Sequence, residues 1–260
     1  MGIGTMTARS DRGPIAGLAA HFVLVGALAA TAGVTAAGWV AATAYALVLC
    51  LLLGAGLQRA GLRTLGPANA VTLFRAILVS GVTALVVTSF QRPVPVALLV
   101  VLAAVALALD GVDGQVARRT GTSTPLGARF DMEIDSFLVL VLSVYVAGFC
   151  GWWTIAIGAF RYVFVAASWA APWLTAALPP RFSRKVVAAV QGVALLVVAA
   201  GLLPTVLGSA VLALALASLT WSFARDIAWL RRAERTRRAR AEVTRSIPLQ
   251  TRRRPSTVNV

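Results

Sequence analysis

The fold class this sequence predicts is all-α: a polytopic integral membrane bundle with a six-helix core and two further helices at the N-terminus. Three observations carry it. Of 260 residues, 59% are hydrophobic and 13% charged, whereas a soluble domain is about half apolar and a quarter charged. Eight apolar runs approach or exceed the roughly 20 residues a helix needs to cross a bilayer. Basic residues collect in alternate connections between those runs, as they do when one face of a membrane retains positive charge. Each run must be a helix, because lipid offers an open backbone no hydrogen-bond partner.

The runs fall near 15–35, 37–57, 71–90, 94–114, 132–150, 153–175, 186–203 and 205–228. Arg9 and Arg12 precede the first, which contains the only histidine, His21. Small residues at Ala29–Ala32 also suit a signal peptide, but the second run follows almost at once, and the first is read as a retained helix. His21 has no partner nearby in sequence and reads as a satisfied or interface-facing histidine. Cys50 and Cys150 lie in or beside apolar runs without metal-ligand spacing, so they read as buried thiols. Residues 58–70, polar and turn-rich with Gly66-Pro67 near the end, form a connection along the membrane surface. Residues 119–127 are a short loop between the fourth and fifth helices.

Arg59 and Arg63 lie before the third run, Arg118, Arg119 and Arg129 before the fifth, and Arg181, Arg184 and Lys185 before the seventh; the opposite connections hold only Arg92. Both termini are therefore expected to be cytoplasmic, in what is read as a bacterial cell membrane. Trp39, Trp152, Trp153 and Trp229 fall near the expected interfaces. Ten of the 24 basic residues lie in the C-terminal tail and account for much of the +15 net charge. No aromatic interleaving or folded module accompanies that charge, so nucleic acid is not the expected partner; attraction to membrane lipids is. Residues 238–260 are expected to be disordered or a frayed helix end.

Five of the nine acidic residues fall between Asp110 and Asp135. Asp110 and Asp113 are three apart, Asp131 and Asp135 four apart, so each pair faces one way on a helix. Carboxylates at a membrane are costly without a cation, and four that converge make an oxygen site for Mg²⁺ or Mn²⁺. Two such ions can hold the attacking and leaving oxygens of a phosphoryl transfer. Asp110, Asp113 and Asp131 are the candidate metal ligands. Asp135 is the candidate catalytic base as well as a ligand. Gly111, Gly114 and Ala117 keep the helix surface low enough for a diphosphate to approach, and Arg118 offers a planar fork of donors to phosphate. Glu133 points to a different helix face and is left out of the site.

Read in full, the segment is Asp110-Gly111-x-Asp113-Gly114-x-x-Ala117-Arg118, eight residues, then Gly127-x-x-x-Asp131-x-x-x-Asp135. It resembles the signature of the CDP-alcohol phosphotransferase family at every fixed position. Upstream, Pro67-x-Asn69-x-x-Thr72-x-x-Arg75 is similar to the family's P-N-x-x-T-x-x-R element, with Ala68 inserted after the proline. The spacing puts Asn69, Thr72 and Arg75 on one face of a helix start, where capping and nucleotide contact are both open readings. Arg75, about one turn into the membrane, needs a partner, either the diphosphate or a carboxylate. The resemblance implies two divalent ions, a CDP-linked lipid donor (CDP-diacylglycerol first), an alcohol acceptor, release of CMP and a homodimer. It also places Thr124 where a hydroxyl residue contacts the nucleotide. It covers the core, 58–230, but neither the N-terminal extension 1–57 nor the basic tail 231–260.

The acceptor stays open. Arg161, an intramembrane charge with Asp226 as one potential partner, could line a pocket for a phosphorylated alcohol together with Arg184 and Lys185. A membrane prenyltransferase would also use Asp motifs and Mg²⁺ on a diphosphate, but it carries a second acidic motif, and after Asp135 only Asp226, Glu234 and Glu242 are acidic. An ion-coupled transporter would place its carboxylates at the midplane within an internal repeat, and no repeat is evident.

Overall fold

The computed structural model describes the backbone of residues 12–60, 67–120, 124–176, 178–179 and 181–246; the side chains at 12–14, 57, 60, 67–69, 112–120, 125–126, 240–241 and 243–246 lie outside that description. Among the described residues the regular structure is all helical, with no strand. The helices are α1 (Arg12–Ala32), α2 (Ala36–Ala60), α3 (Pro67–Ser89), α4 (Val96–Thr120), α5 (Pro125–Cys150), α6 (Ile155–Ala170), α7 (Phe182–Ala199) and α8 (Thr205–Ser246). Seven of them are long and apolar enough to cross a membrane, and α4 carries a shorter apolar stretch, Val96–Gly111. This is an integral membrane protein of the class the composition predicts.

The helix α3 is the axis of the bundle. It packs against α1, α2, α4 and α5, and 67% of its span is buried, against at most 39% for any other span. Three of its buried hydroxyls fit that position because each returns a hydrogen bond to its own helix: Ser80 to the Ile77 carbonyl, Thr83 to Val79 and Thr88 to Ala84. Such bonds keep hydroxyls satisfied where lipid offers no partner. The N-terminal pair docks onto this axis through a buried polar contact. His21 on α1 reaches Ser80 Oγ at 2.9 Å and Thr43 Oγ1 on α2 at 3.3 Å, so it is the satisfied histidine that its isolation in sequence suggested. Val40, Leu51, Val163 and Leu214 face outward, which costs nothing in lipid.

Two glycines are demanded by geometry. Gly33 turns the chain from α1 into α2 with φ of 60°, a left-handed conformation that side chains with a Cβ resist. Gly158 lets α6 touch α5: a Cβ there would sit 2.3 Å from Leu140 Cα. On the other side of the bundle, α7 packs against α4, α5 and α8.

The expected and observed helices differ mainly at their ends. The run at 153–175 is divided into a 3₁₀ turn at Trp152–Thr154, α6, and a second 3₁₀ turn at Pro172–Thr175, because proline cannot continue a helix. The basic tail differs most. Residues 231–246 continue α8 without a break, so of the two readings of residues 238–260, disorder or a helix end, the helix end holds as far as Ser246. Hydropathy ends near residue 228, but Arg, Ala and Glu are good helix formers, and Glu234 accepts from Arg238 Nε at 2.7 Å one turn on. Cys50 and Cys150 are both partly buried.

Candidate active site

Three helix ends build the site: the start of α3, the end of α4 and the start of α5. Pro67 opens α3, a position where its missing N–H and fixed φ suit a helix start. One turn further in, Thr72 and Arg75 are both buried, Arg75 completely. Thr124 caps α5, its hydroxyl accepting from the Gly127 N–H at 3.0 Å, and Pro125 follows as the first helical residue. That cap fixes the first turns of α5, which carry Asp131 and Asp135.

Arg75 is where the helices meet. Its Nε donates to the Ala106 carbonyl of α4 at 3.1 Å. Its terminal nitrogens pair with Asp110 of α4 at 3.1 Å and with Asp131 and Asp135 of α5. A guanidinium suits this position because its planar fork addresses several carboxylates at once and stays charged when buried. The arginine is fully enclosed, but the three acidic side chains remain 42%, 34% and 37% exposed. The cluster is therefore closed on the Arg75 side and open on the other.

The donor set fits a divalent cation. One carboxylate oxygen from each of Asp110, Asp131 and Asp135 lies within 4.8 Å of the others, and hard oxygen ligands are what Mg²⁺ and Mn²⁺ prefer. With the carboxylates ionised, three negative charges face one guanidinium, leaving −2, the charge that one such ion balances. Gly111, one residue beyond Asp110, is exposed, and a Cβ there would meet nothing within 4 Å. Helix packing does not explain this glycine, whereas an approach by a ligand would.

The remaining expectations separate. The side chains of Asn69, Asp113, Gly114, Ala117 and Arg118 lie outside the described residues, although the backbone of each is helical. Thr124, expected at the nucleotide, has its hydroxyl engaged in the α5 cap. Arg161 does not pair with Asp226. It is held by Glu133 on α5 and also contacts Met132 Sδ at 2.7 Å. Asp226 instead pairs with Arg184 at 3.5 Å, and Arg184 also donates to the Pro179 carbonyl. Lys185 is exposed. The two buried-side arginines are thus tied to different helices, Arg161 to α5 and Arg184 to α8. Glu133, set aside on its helix face, is the charge that the sequence reading missed; the available signal was an intramembrane arginine in need of an acid.

The CDP-alcohol phosphatidyltransferase family matches residues 65–221, from the entry to α3 well into α8. Among curated proteins, ethanolaminephosphotransferase 1 of Homo sapiens is 52% identical over 52 residues, covering 18% of this chain and 13% of that protein. The Pongo abelii protein of the same name is 56% identical over 43 residues (16% and 11%), and that of Mus musculus 52% over 48 residues (16% and 12%). The match thus spans about an eighth of each relative's length. No solved structure matches the chain. With the family's match running over more than half the sequence and enclosing the whole acidic cluster, this chain belongs to the CDP-alcohol phosphatidyltransferase family.

Proposed function

We propose that this protein transfers a phosphatidyl group from a CDP-linked lipid, CDP-diacylglycerol first among the candidates, to an alcohol, with release of CMP. The observation that carries the reading is the convergence of Asp110, Asp131 and Asp135 from two helices on one buried arginine, with their other side open. An open, anionic pocket with an interior cation suits a diphosphate that brings or meets divalent ions.

The chain's own groups then have distinct tasks. Arg75 holds the carboxylates in register and offers donors toward phosphate oxygens. Asn69, Thr72, Gly111, Gly114, Ala117, Arg118 and Thr124 form the wall along which the CDP moiety lies. Asp135 accepts the proton of the acceptor hydroxyl; the freed oxygen forms a bond to the lipid-side phosphorus, and the phosphorus–oxygen bond to CMP breaks, CMP leaving with the electron pair. Two Mg²⁺ or Mn²⁺ ions, held by Asp110, Asp113, Asp131 and Asp135, would supply charge neutralisation to the diphosphate and the departing CMP. The site and both termini face the cytoplasm in this reading, and the protein works as a homodimer.

The test is CMP release by purified protein in nanodiscs, with CDP-diacylglycerol, Mn²⁺, and glycerol phosphate, inositol phosphate or serine as acceptor. Asp135→Asn is expected to lower kcat at least 100-fold, within the usual range for a general base. Release that persists in that variant, or that needs no divalent ion, would contradict the mechanism. A phosphorylated acceptor bound by Arg161, Arg184 and Lys185 predicts a raised acceptor KM in Arg161→Ala and Lys185→Ala. The name of the relatives favours a second reading, in which the CDP-linked alcohol is ethanolamine and a lipid alcohol is the acceptor. CMP release from CDP-ethanolamine with diacylglycerol, and none from CDP-diacylglycerol, would select it.

A further inference from the structure

The N-terminal helices lie outside the family match, yet one of their side chains packs on the helix that carries Asp131 and Asp135. Tyr45 on α2 stacks on Phe137 of α5, with ring centroids 4.3 Å apart and planes 11° from parallel. Phe137 is two residues beyond Asp135. The stack lies where α2 meets α5, the helix that also carries Asp131 and Asp135. The phenol oxygen is shielded from solvent, and it has no hydrogen-bond partner among the described residues. Phenylalanine would provide the same stacking without the polar atom. A buried hydroxyl with no partner is costly, and buried phenols normally find one. Lipid tails cannot satisfy it. The Asp131 and Asp135 carboxylates on the same helix are open on one side, so a ligand that spans from them to the phenol can.

We propose that Tyr45 is a positioning and specificity residue through which the N-terminal extension takes part in the reaction, its hydroxyl donating a hydrogen bond to the acceptor alcohol. This rests on the transferase reading above. The alcohol oxygen has two lone pairs and one proton. Tyr45 engages one lone pair, Asp135 takes the proton, and the second lone pair forms the bond to phosphorus. Tyr45 keeps its own proton throughout. It therefore orients the acceptor in the ground state, and its removal weakens acceptor binding more than it slows the bond-making step.

The experiment is steady-state CMP release at saturating donor, with glycerol phosphate, inositol phosphate, serine and diacylglycerol titrated in turn. Tyr45→Phe is expected to raise the KM of the working acceptor about tenfold, the usual scale for one hydrogen bond to a buried group. The kcat, donor KM and Mn²⁺ affinity should stay within about twofold. Its thermal midpoint should be unchanged or higher, since an unsatisfied hydroxyl has gone. Tyr145→Phe, which removes a phenol that packs on Phe149 at the far end of α5, should change none of these. An unchanged acceptor KM in Tyr45→Phe overturns the assignment, as does an effect confined to donor KM or a lowered thermal midpoint, which would show a structural hydrogen bond. A wild-type protein that releases no CMP from any donor would remove the transferase reading, and this assignment with it. Wild-type turnover with an indifferent Tyr45→Phe removes this assignment alone.

Discussion

Arg75 has the largest electrostatic role of any single residue, because it is the only fully buried cation described and it faces three carboxylates. Removing one partner of a buried ionic cluster costs about 3–5 kcal/mol, since the remaining charges are left uncompensated. The carboxylates here are about a third exposed, so the lower end of that range is expected for Arg75→Met. The loss should be largest in EDTA and partly reversed by Mn²⁺, which returns positive charge to the same oxygens; thermal unfolding followed by tryptophan fluorescence reads both. A variant as stable as wild type in EDTA would mean that the carboxylates are neutralised some other way. That Asp131 and Asp135 share a face of α5 could be read from their interval of four; that Asp110 of α4 meets them was implied by the family resemblance and not by spacing. The Glu133–Arg161 pair could not be read from the sequence. A face seen as pointing away from one helix says nothing about which other helix lies there.

Individual elements show the same division between local and non-local information. The start of α5 is local: Thr124 followed by Pro125 is a capping sequence that needs no tertiary context. Thr124→Ala should cost about 1 kcal/mol and Thr124→Ser much less, measurable as a shift in thermal midpoint. If Thr124→Ala instead leaves stability intact and raises donor KM, the hydroxyl serves the nucleotide and not the helix. The contact of α5 with α6 is non-local. Nothing in the sequence marks Gly158 as the crossing point, yet its missing side chain is what lets the two helices meet. Gly158→Val is expected to destabilise by about 1–3 kcal/mol, the usual cost of overpacking. Because α6 carries Arg161, that variant should also disturb the pair with Glu133. The end of α8 is not legible from hydropathy, which reports where lipid ends, whereas a helix of good formers does not stop there.

For the whole molecule, orientation is the property with the strongest physical argument and the most direct test. The N-terminus of α3, the C-terminus of α4 and the N-terminus of α5 share one end of the bundle, because Arg75 joins Asp110 to Asp131 and Asp135 there. Arg59 in the last turn of α2 approaches the same end in an up-down arrangement, and so does the exposed row Arg231, Arg232, Arg235, Arg237 and Arg238 that ends α8. Arg92, between α3 and α4, stands at the opposite end, beside Gly33. In the proposed orientation, with positive charge retained on the cytoplasmic side, the acidic cluster lies there too, where a water-soluble nucleotide can leave. In a background with Cys50→Ala and Cys150→Ala, Arg237→Cys should react with a membrane-impermeant maleimide only in inside-out vesicles. Arg92→Cys should react only in vesicles of the opposite orientation. The reverse pattern would put the site on the outer face and would overturn the proposed orientation.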